Sequence, residues 1–524
     1  MLMLHLGLSD VYALIIISAI MLMNVWFLFS SAPSSSQEWR LSLSKLPLAG
    51  PLFTYMMTHT WVQLSLKIMV AATFLLIMAA GVFGTQIASK NIATVLTWNI
   101  WWTCIVFIVF FVGTSWCGVC PWDTFSNVVA RQKFWLRSKS RFLLNITVPK
   151  SFRNVWLAFV FFLFFTWLEI GFGLTDDPFN TAMLCLFISI LAIGGMLFFE
   201  DRAFCRYACP VGRTIGFYSQ LSPVELRAID PDICKECKSL ACYHGTDTVQ
   251  NCTSNLVVGR MKESTYCTSC GNCTQSCPEQ NVSWRLRPIS SEAKLDARPH
   301  MDESIFIIGL LSTTMFHAFT MLPIWEPLLL GVHNFLGGFL PIIFSFTLIL
   351  IGFIALPILL FWVFVKLTQL MWFYQAESHA KKSNTIAVNI KRTLSLSKLF
   401  SGFAFTALPL AFFYHLAHNL NHLMRENTNF IELLGNPFGF YAKPFNMMEK
   451  HEQMMNLVIP QDVVGVTQTV LMIVGFWITL QVIRYRGYKL YQAAGFKLLP
   501  ILLFANTIIL FNVWMMVQPM AMRM

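Results

Sequence analysis

The reading of this chain turns on Cys205–Pro278, CRYACPVGRTIGFYSQLSPVELRAIDPDICKECKSLACYHGTDTVQNCTSNLVVGRMKESTYCTSCGNCTQSCP. Ten of the 14 cysteines lie in it. Cys267, Cys270, Cys273 and Cys277, followed by Pro278, form C-x2-C-x2-C-x3-C-P. Upstream, Cys234, Cys237 and Cys242 form C-x2-C-x4-C, and Cys252 stands apart. Thiols so closely and regularly spaced are ligands to soft metal centres before they are anything else.

The downstream spacing is that of bacterial two-cluster ferredoxins, in which the fourth cysteine ligates the other cluster. The crossover assigns Cys234, Cys237, Cys242 and Cys277 to one [4Fe–4S] cluster. It assigns Cys252, Cys267, Cys270 and Cys273 to the second. Two details depart from the pattern. Four residues rather than two precede Cys242, and Thr253 rather than proline follows Cys252. Zinc is the competing occupant, since C-x2-C pairs also bind it.

Outward from this stretch the chain is membrane-like. It is 56% hydrophobic and 12% charged, with mean hydropathy +0.60. Ordinary soluble chains carry about twice that charge. Apolar runs of about twenty residues recur, among them Val11–Phe29, Asn154–Leu174, Ser304–Leu330 and Phe400–Met424. The expected fold is an all-α polytopic membrane protein of about ten transmembrane helices. Inserted in it is a small cytoplasmic α+β two-cluster ferredoxin-like domain. The expected division is a membrane domain over 1–200, the ferredoxin-like domain over 201–303 and a second membrane domain over 304–524. The net charge of +11 reflects basic loops beside apolar runs, such as Arg131–Arg153, rather than a nucleic-acid partner. The positive-inside rule places those loops and the cysteine segment in the cytoplasm, with multi-pass insertion in the inner membrane. Thiols stay reduced there, which favours ligands over disulfides.

Two Cys-Pro motifs flank the membrane edge: Cys117-x2-Cys120-Pro121 and Cys205-x3-Cys209-Pro210. Each follows an apolar helix, as in a weak internal repeat. Together the four thiols are candidates for a further cluster, another soft metal or a redox site, with simple packing as the alternative. Cys104 and Cys185 stand alone within helices and read as small buried hydrophobes.

With its multispan core, two Cys-Pro motifs and two-cluster segment, the chain resembles the NapH/NosR/CcoG-type membrane polyferredoxins. FCRYACPVGRTIGFYSQLSPVEL carries the likeness most closely, and it covers about Trp61–Pro288. The resemblance implies electron transfer between the quinone pool, iron–sulfur clusters and a partner redox subunit or soluble carrier. It implies an electron-transfer subunit of a quinol dehydrogenase or oxidoreductase complex. The CcoG-type members imply an alternative, an assembly factor that reduces metal centres or thiols for another membrane enzyme. The resemblance leaves residues 304–524 without an assigned family.

That C-terminal part carries histidines at membrane depth. His415, His418 and His422 share one helical face, i, i+3, i+7. By depth, His317 matches His415 and His333 matches His422. Facing imidazoles would ligate b-type haem or a metal ion, or line a quinone and proton site. Histidines bonded to a neighbouring helix are the plainer reading. No C-x-x-C-H is present for covalent haem attachment. Trp98, Trp101 and Trp102 are expected in an interfacial belt. Glu169, Asp176 and Asp177 are expected in a solvated acidic turn.

Overall fold

The computed structural model describes residues 4–5, 7–33, 39–131, 143–200, 202–383, 395–425, 430–444 and 459–521. Its principal helices are α1 (Asp10–Phe29), α2 (Thr60–Phe83), α3 (Ile92–Val112), α4 (Trp156–Gly171), α5 (Pro178–Phe198) and α6 (Met301–Phe319). There follow α7 (Trp325–Phe335), α8 (Ile342–Tyr374), α9 (Leu396–Leu420), α10 (Gln461–Tyr491) and α11 (Gly495–Val517). Among the described residues, eight are long and apolar enough to cross a membrane: α1, α2, α3, α5, α8, α9, α10 and α11. By that measure the chain is a multi-pass membrane protein.

Against the ten spans expected, the described residues offer eight candidates. The run Asn154–Leu174 yields only the 16 residues of α4, about 24 Å at 1.5 Å per residue and short of a hydrocarbon core near 30 Å. The run Ser304–Leu330 breaks into α6 and α7. Pro323 lies in the break, and a residue preceding proline is steered out of the helical region. The basic residues at 132–142 and 384–394 lie outside the described residues.

A second difference concerns α9, whose sequence looks compatible with lipid. It is enclosed along its whole apolar window, packed against α6 and α10. The core around it includes Phe306, Leu311, Phe403, Phe412, Phe476 and Phe504.

The cysteine segment is built on a three-stranded antiparallel sheet. Its centre is β3 (Val282–Leu286), with β2 (Val224–Ala228) on one side and β1 (Leu41–Ser42), from the linker after α1, on the other. The register runs from Val224 opposite Leu286 to Ala228 opposite Val282. It sets Glu225 against Arg285, with Arg285 Nε 2.5 Å from Glu225 Oε1. Arg287 joins Glu225 at 2.9 Å, and Arg227 joins Glu292 at 2.7 Å. A distinct ferredoxin-like domain is not evident among the described residues: the sheet is small and borrows a strand from the N-terminal linker. Contacts from α2 and from the short helix before it, Gly50–Thr58, tie it to the membrane helices. Gln63 donates to the Cys270 carbonyl, and Thr274 Oγ1 donates to the Met57 carbonyl at 3.0 Å.

Candidate functional site

Two cavities open in the cysteine segment. One is lined by Cys234, Cys237, Cys242 and Cys277. The other is lined by Cys252, Cys267, Cys270 and Cys273. This is the crossover grouping expected from the spacing. Val258 lines both, so the cavities stand back to back. Short helices that end or begin at cysteines shape them: Pro231–Glu236 stops at Cys237, and Asn272–Ser276 stops at Cys277. Gly259 closes against the first cavity, where a Cβ would stand 2.3 Å from Cys234 Cβ.

Backbone and side-chain N–H groups point at the sulfurs. Asn281 N donates to Cys277 Sγ at 3.3 Å and its amide to Cys234 Sγ at 3.4 Å. Leu256 N donates to Cys252 Sγ at 3.3 Å, and Ser269 N to Cys267 Sγ at 3.4 Å. Thr253, which replaces the usual proline, places its hydroxyl 3.9 Å from Cys270 Sγ. Such donors stabilise charge on sulfur and tune any cluster held there. The two environments differ. Burial pushes the Cys267 thiol up to about 11 and Cys273 well above its ordinary value. Bonds from Ser239 and the Leu240 backbone hold the half-buried Cys237 thiol below its usual value. Exposed Ile233, Pro278 and Glu279 line the first cavity, which faces solvent, whereas buried Thr253, Ser254 and Thr268 line the second, the more enclosed one.

The Cys-Pro motifs share a local fold. In each, proline opens a helix, Pro121–Arg131 or Pro210–Tyr218, and the preceding cysteine sits at its N-terminus. Proline suits that first helical position because its missing N–H would have had no partner there. Cys209 Sγ accepts from Gly212 N at 3.3 Å, and Cys120 accepts from the Asp123 backbone. Cys205 lies in a π-helical turn, Phe204–Ala208, a form common at functional sites. The fold brings all four thiols into one electrostatic neighbourhood: Cys120 feels Cys117, Cys205 and Cys209, and Cys205 feels Cys209 and Cys117. Burial raises all four, Cys117 to about 12. Cys117 also feels Cys267, and Thr114 Oγ1 lies 2.6 Å from Ser269 Oγ. The quartet therefore abuts the second cavity. Cys185 is packed among Phe74, Ile77 and Ile188, while Cys104 is half-buried.

The histidines are arranged differently from the depth-matched pairs. His415 Nδ1 lies 3.2 Å from the Tyr218 hydroxyl, and its ring faces Trp102 at 6.0 Å. His317 instead meets His418, edge to face at 5.6 Å, and its Nδ1 lies 3.7 Å from Glu169 Oε1. Glu169 thus belongs to this strip and not only to an acidic turn. His418 also lines a small pocket with Gln461, Gln468 and Met516. His333 lies half-buried in α7, and the side chain of His422 lies outside the described residues. The tryptophans turn inward: Trp101 packs within 5.5–6.2 Å of Trp102, Trp116 and Trp122, and Trp98 donates to Thr181 at 3.0 Å. Of the three, Trp101 packs against the Cys-Pro region, through Trp116 and Trp122.

Sequence reasoning passed over Lys67, Asp123 and Arg202, which the fold gathers beside these thiols. Lys67 carried a usable signal, a charge inside an apolar run.

Over 134 residues the chain is 26% identical to YccM of Escherichia coli (strain K12), a protein provisionally named for electron transport. The match covers 25% of this chain and 34% of that protein, so the similarity spans about a third of its relative's length. No family model and no solved structure matches the chain.

Proposed function

We propose that this protein is a membrane-bound iron–sulfur electron carrier that passes single electrons between the quinone pool and a partner redox protein. The observation that carries the proposal is the pair of back-to-back cavities, each lined by four cysteines in the crossover grouping. The spacing of the cysteines favours clusters over zinc: the run C-x2-C-x2-C-x3-C-P is that of two-cluster ferredoxins. N–H donors also face the sulfurs of both quartets.

Cys234, Cys237, Cys242 and Cys277 would hold the first cluster, and Cys252, Cys267, Cys270 and Cys273 the second. When bound, the clusters supply one-electron redox chemistry; the protein supplies spacing, burial and hydrogen bonds. Cys117, Cys120, Cys205 and Cys209 would form a third redox or metal site at the membrane edge. The order of burial supports a path from that quartet through the enclosed second cavity to the exposed first one, where a partner protein docks. The quinone would meet the protein at the His317–His418 strip, whose imidazoles and Glu169 can take up protons. The YccM likeness supports electron transfer as the general role. The basic loops support a cytoplasmic position for the cysteine segment.

The test is anaerobic purification with iron and acid-labile sulfide analysis. The two sites should contribute about eight of each per chain. Cys277→Ala should remove the cluster shared with Cys234, Cys237 and Cys242 and leave the other. Zinc without labile sulfide refutes the proposal.

A further inference from the structure

An ionised side chain inside an apolar membrane helix is costly unless something offsets its charge. Lys67 is such a residue in α2. It lies one turn beyond Gln63, whose amide donates to the Cys270 carbonyl. That docked face brings Lys67 into the field of Asp123, Arg202 and Cys270. Asp123 and Arg202 are themselves paired, Oδ1 to Nε at 2.8 Å, with side chains only 6% and 7% exposed.

Arg202 occupies a particular place. Its guanidinium is within the field of Cys270 and Cys252 of the second cavity and of Cys205 of the Cys-Pro quartet. Its backbone is left-handed, φ +51°, which is uncommon for a residue with a Cβ. Strained conformations of this kind persist where the surroundings enforce them, often at functional sites.

The charges do not cancel. Two cations and one carboxylate leave one net positive charge between two sets of thiols, with the Asp123–Arg202 pair itself buried. A cluster held by four thiolates is anionic and gains a further negative charge when reduced. A fixed cation beside it in a low dielectric favours the reduced form. We propose that Lys67, Arg202 and Asp123 are a built-in counter-charge that raises the reduction potential of the centre held by Cys252, Cys267, Cys270 and Cys273. That centre then draws electrons inward from the membrane edge. In the step itself one electron leaves a donor derived from quinol and enters the oxidised centre, and no bond is made or broken. The inference rests on the cluster reading above.

Full-length Lys67→Met and Asp123→Asn, both near-isosteric, separate charge from packing. Each is purified anaerobically, assayed for iron and labile sulfide, and titrated potentiometrically with electron paramagnetic resonance. Cys277→Ala, which lacks the first centre, identifies the second centre's signal. Lys67→Met should lower the midpoint of the second centre, and Asp123→Asn should raise it. The first centre should move in neither. Should Asp123→Asn fail to accumulate, Lys67→Met decides, with the first centre as internal reference. Full cluster content with unchanged midpoints, or shifts of the same sign in both variants, overturns this inference alone. Wild-type protein without labile sulfide overturns the cluster reading and this inference together.

Discussion

Glu292→Ala should loosen the sheet beneath both cavities. Glu292 is fully enclosed and accepts four hydrogen bonds. Arg227 Nη2 donates at 2.7 Å, Ser264 N and Oγ each at 2.8 Å, and Arg287 Nη1 makes the fourth. Truncation leaves two buried guanidinium groups short of a carboxylate and one backbone N–H without its acceptor. Removing one member of a buried ion pair costs about 3–5 kcal/mol. At about 1.4 kcal/mol per factor of ten, local opening should become more frequent by two to three and a half powers of ten. Hydrogen exchange of β2 and β3 amides reads this directly. Cys267 N donates to the Ser264 carbonyl at 2.9 Å, so the second cavity should lose iron as well. Glu292→Gln keeps the shape and should cost less. Asp232→Ala serves as control: its pair with Lys235 is 75–80% exposed, worth about 0–1 kcal/mol at most. Unchanged strand exchange and unchanged iron in Glu292→Ala would refute this account of what supports the cavities.

Replacing Cys117, Cys120, Cys205 and Cys209 together by serine should leave both ferredoxin-type sites filled, by iron analysis, while abolishing their reduction by quinol; reduction at the wild-type rate would remove the quartet from the path. Gly259→Ala should reduce cluster content selectively at the first cavity, because the new Cβ meets Cys234 Cβ at 2.3 Å; full iron and sulfide in the variant would show that the loop yields. Burial pushes the Glu225 carboxyl up, but Arg227, Arg287 and Arg285 outweigh it and hold it below the ordinary carboxylate range. Its contribution to stability is therefore complete above about pH 4.3, the ordinary glutamate value, and is lost as pH falls through the folded-state value. Acid unfolding of Glu225→Gln should show a shallower slope in that window than wild type; identical slopes would argue against the arginine network as the cause.

Much of the candidate site is legible in the spacing of the cysteines. A ligand run such as C-x2-C-x2-C-x3-C-P is local, and local geometry suffices to face three thiols into one opening. The fourth ligand is long-range, yet the crossover anticipates it, and Cys277 does line the cavity of Cys234 and Cys237. The spans are legible for a similar reason, since hydropathy sums over neighbours in sequence. The run Ser304–Leu330 misleads because Pro323 breaks it, and α6 finds burial within protein instead of lipid.

The sequence alone divided the cysteines into the two sets that line the two cavities, and determined that most of the chain is apolar helix. Tertiary structure decided how those pieces meet. It paired His317 with His418 and turned His415 to Tyr218. It joined Asp123 to Arg202 across 79 positions, set Arg486 to donate to the Ala293 and Ala297 carbonyls, and supplied β1 from the linker after α1. Periodicity fixes the face a residue occupies on its own helix. The neighbour that covers that face depends on how the helices pack against one another, through contacts between residues far apart in the chain that no local pattern encodes.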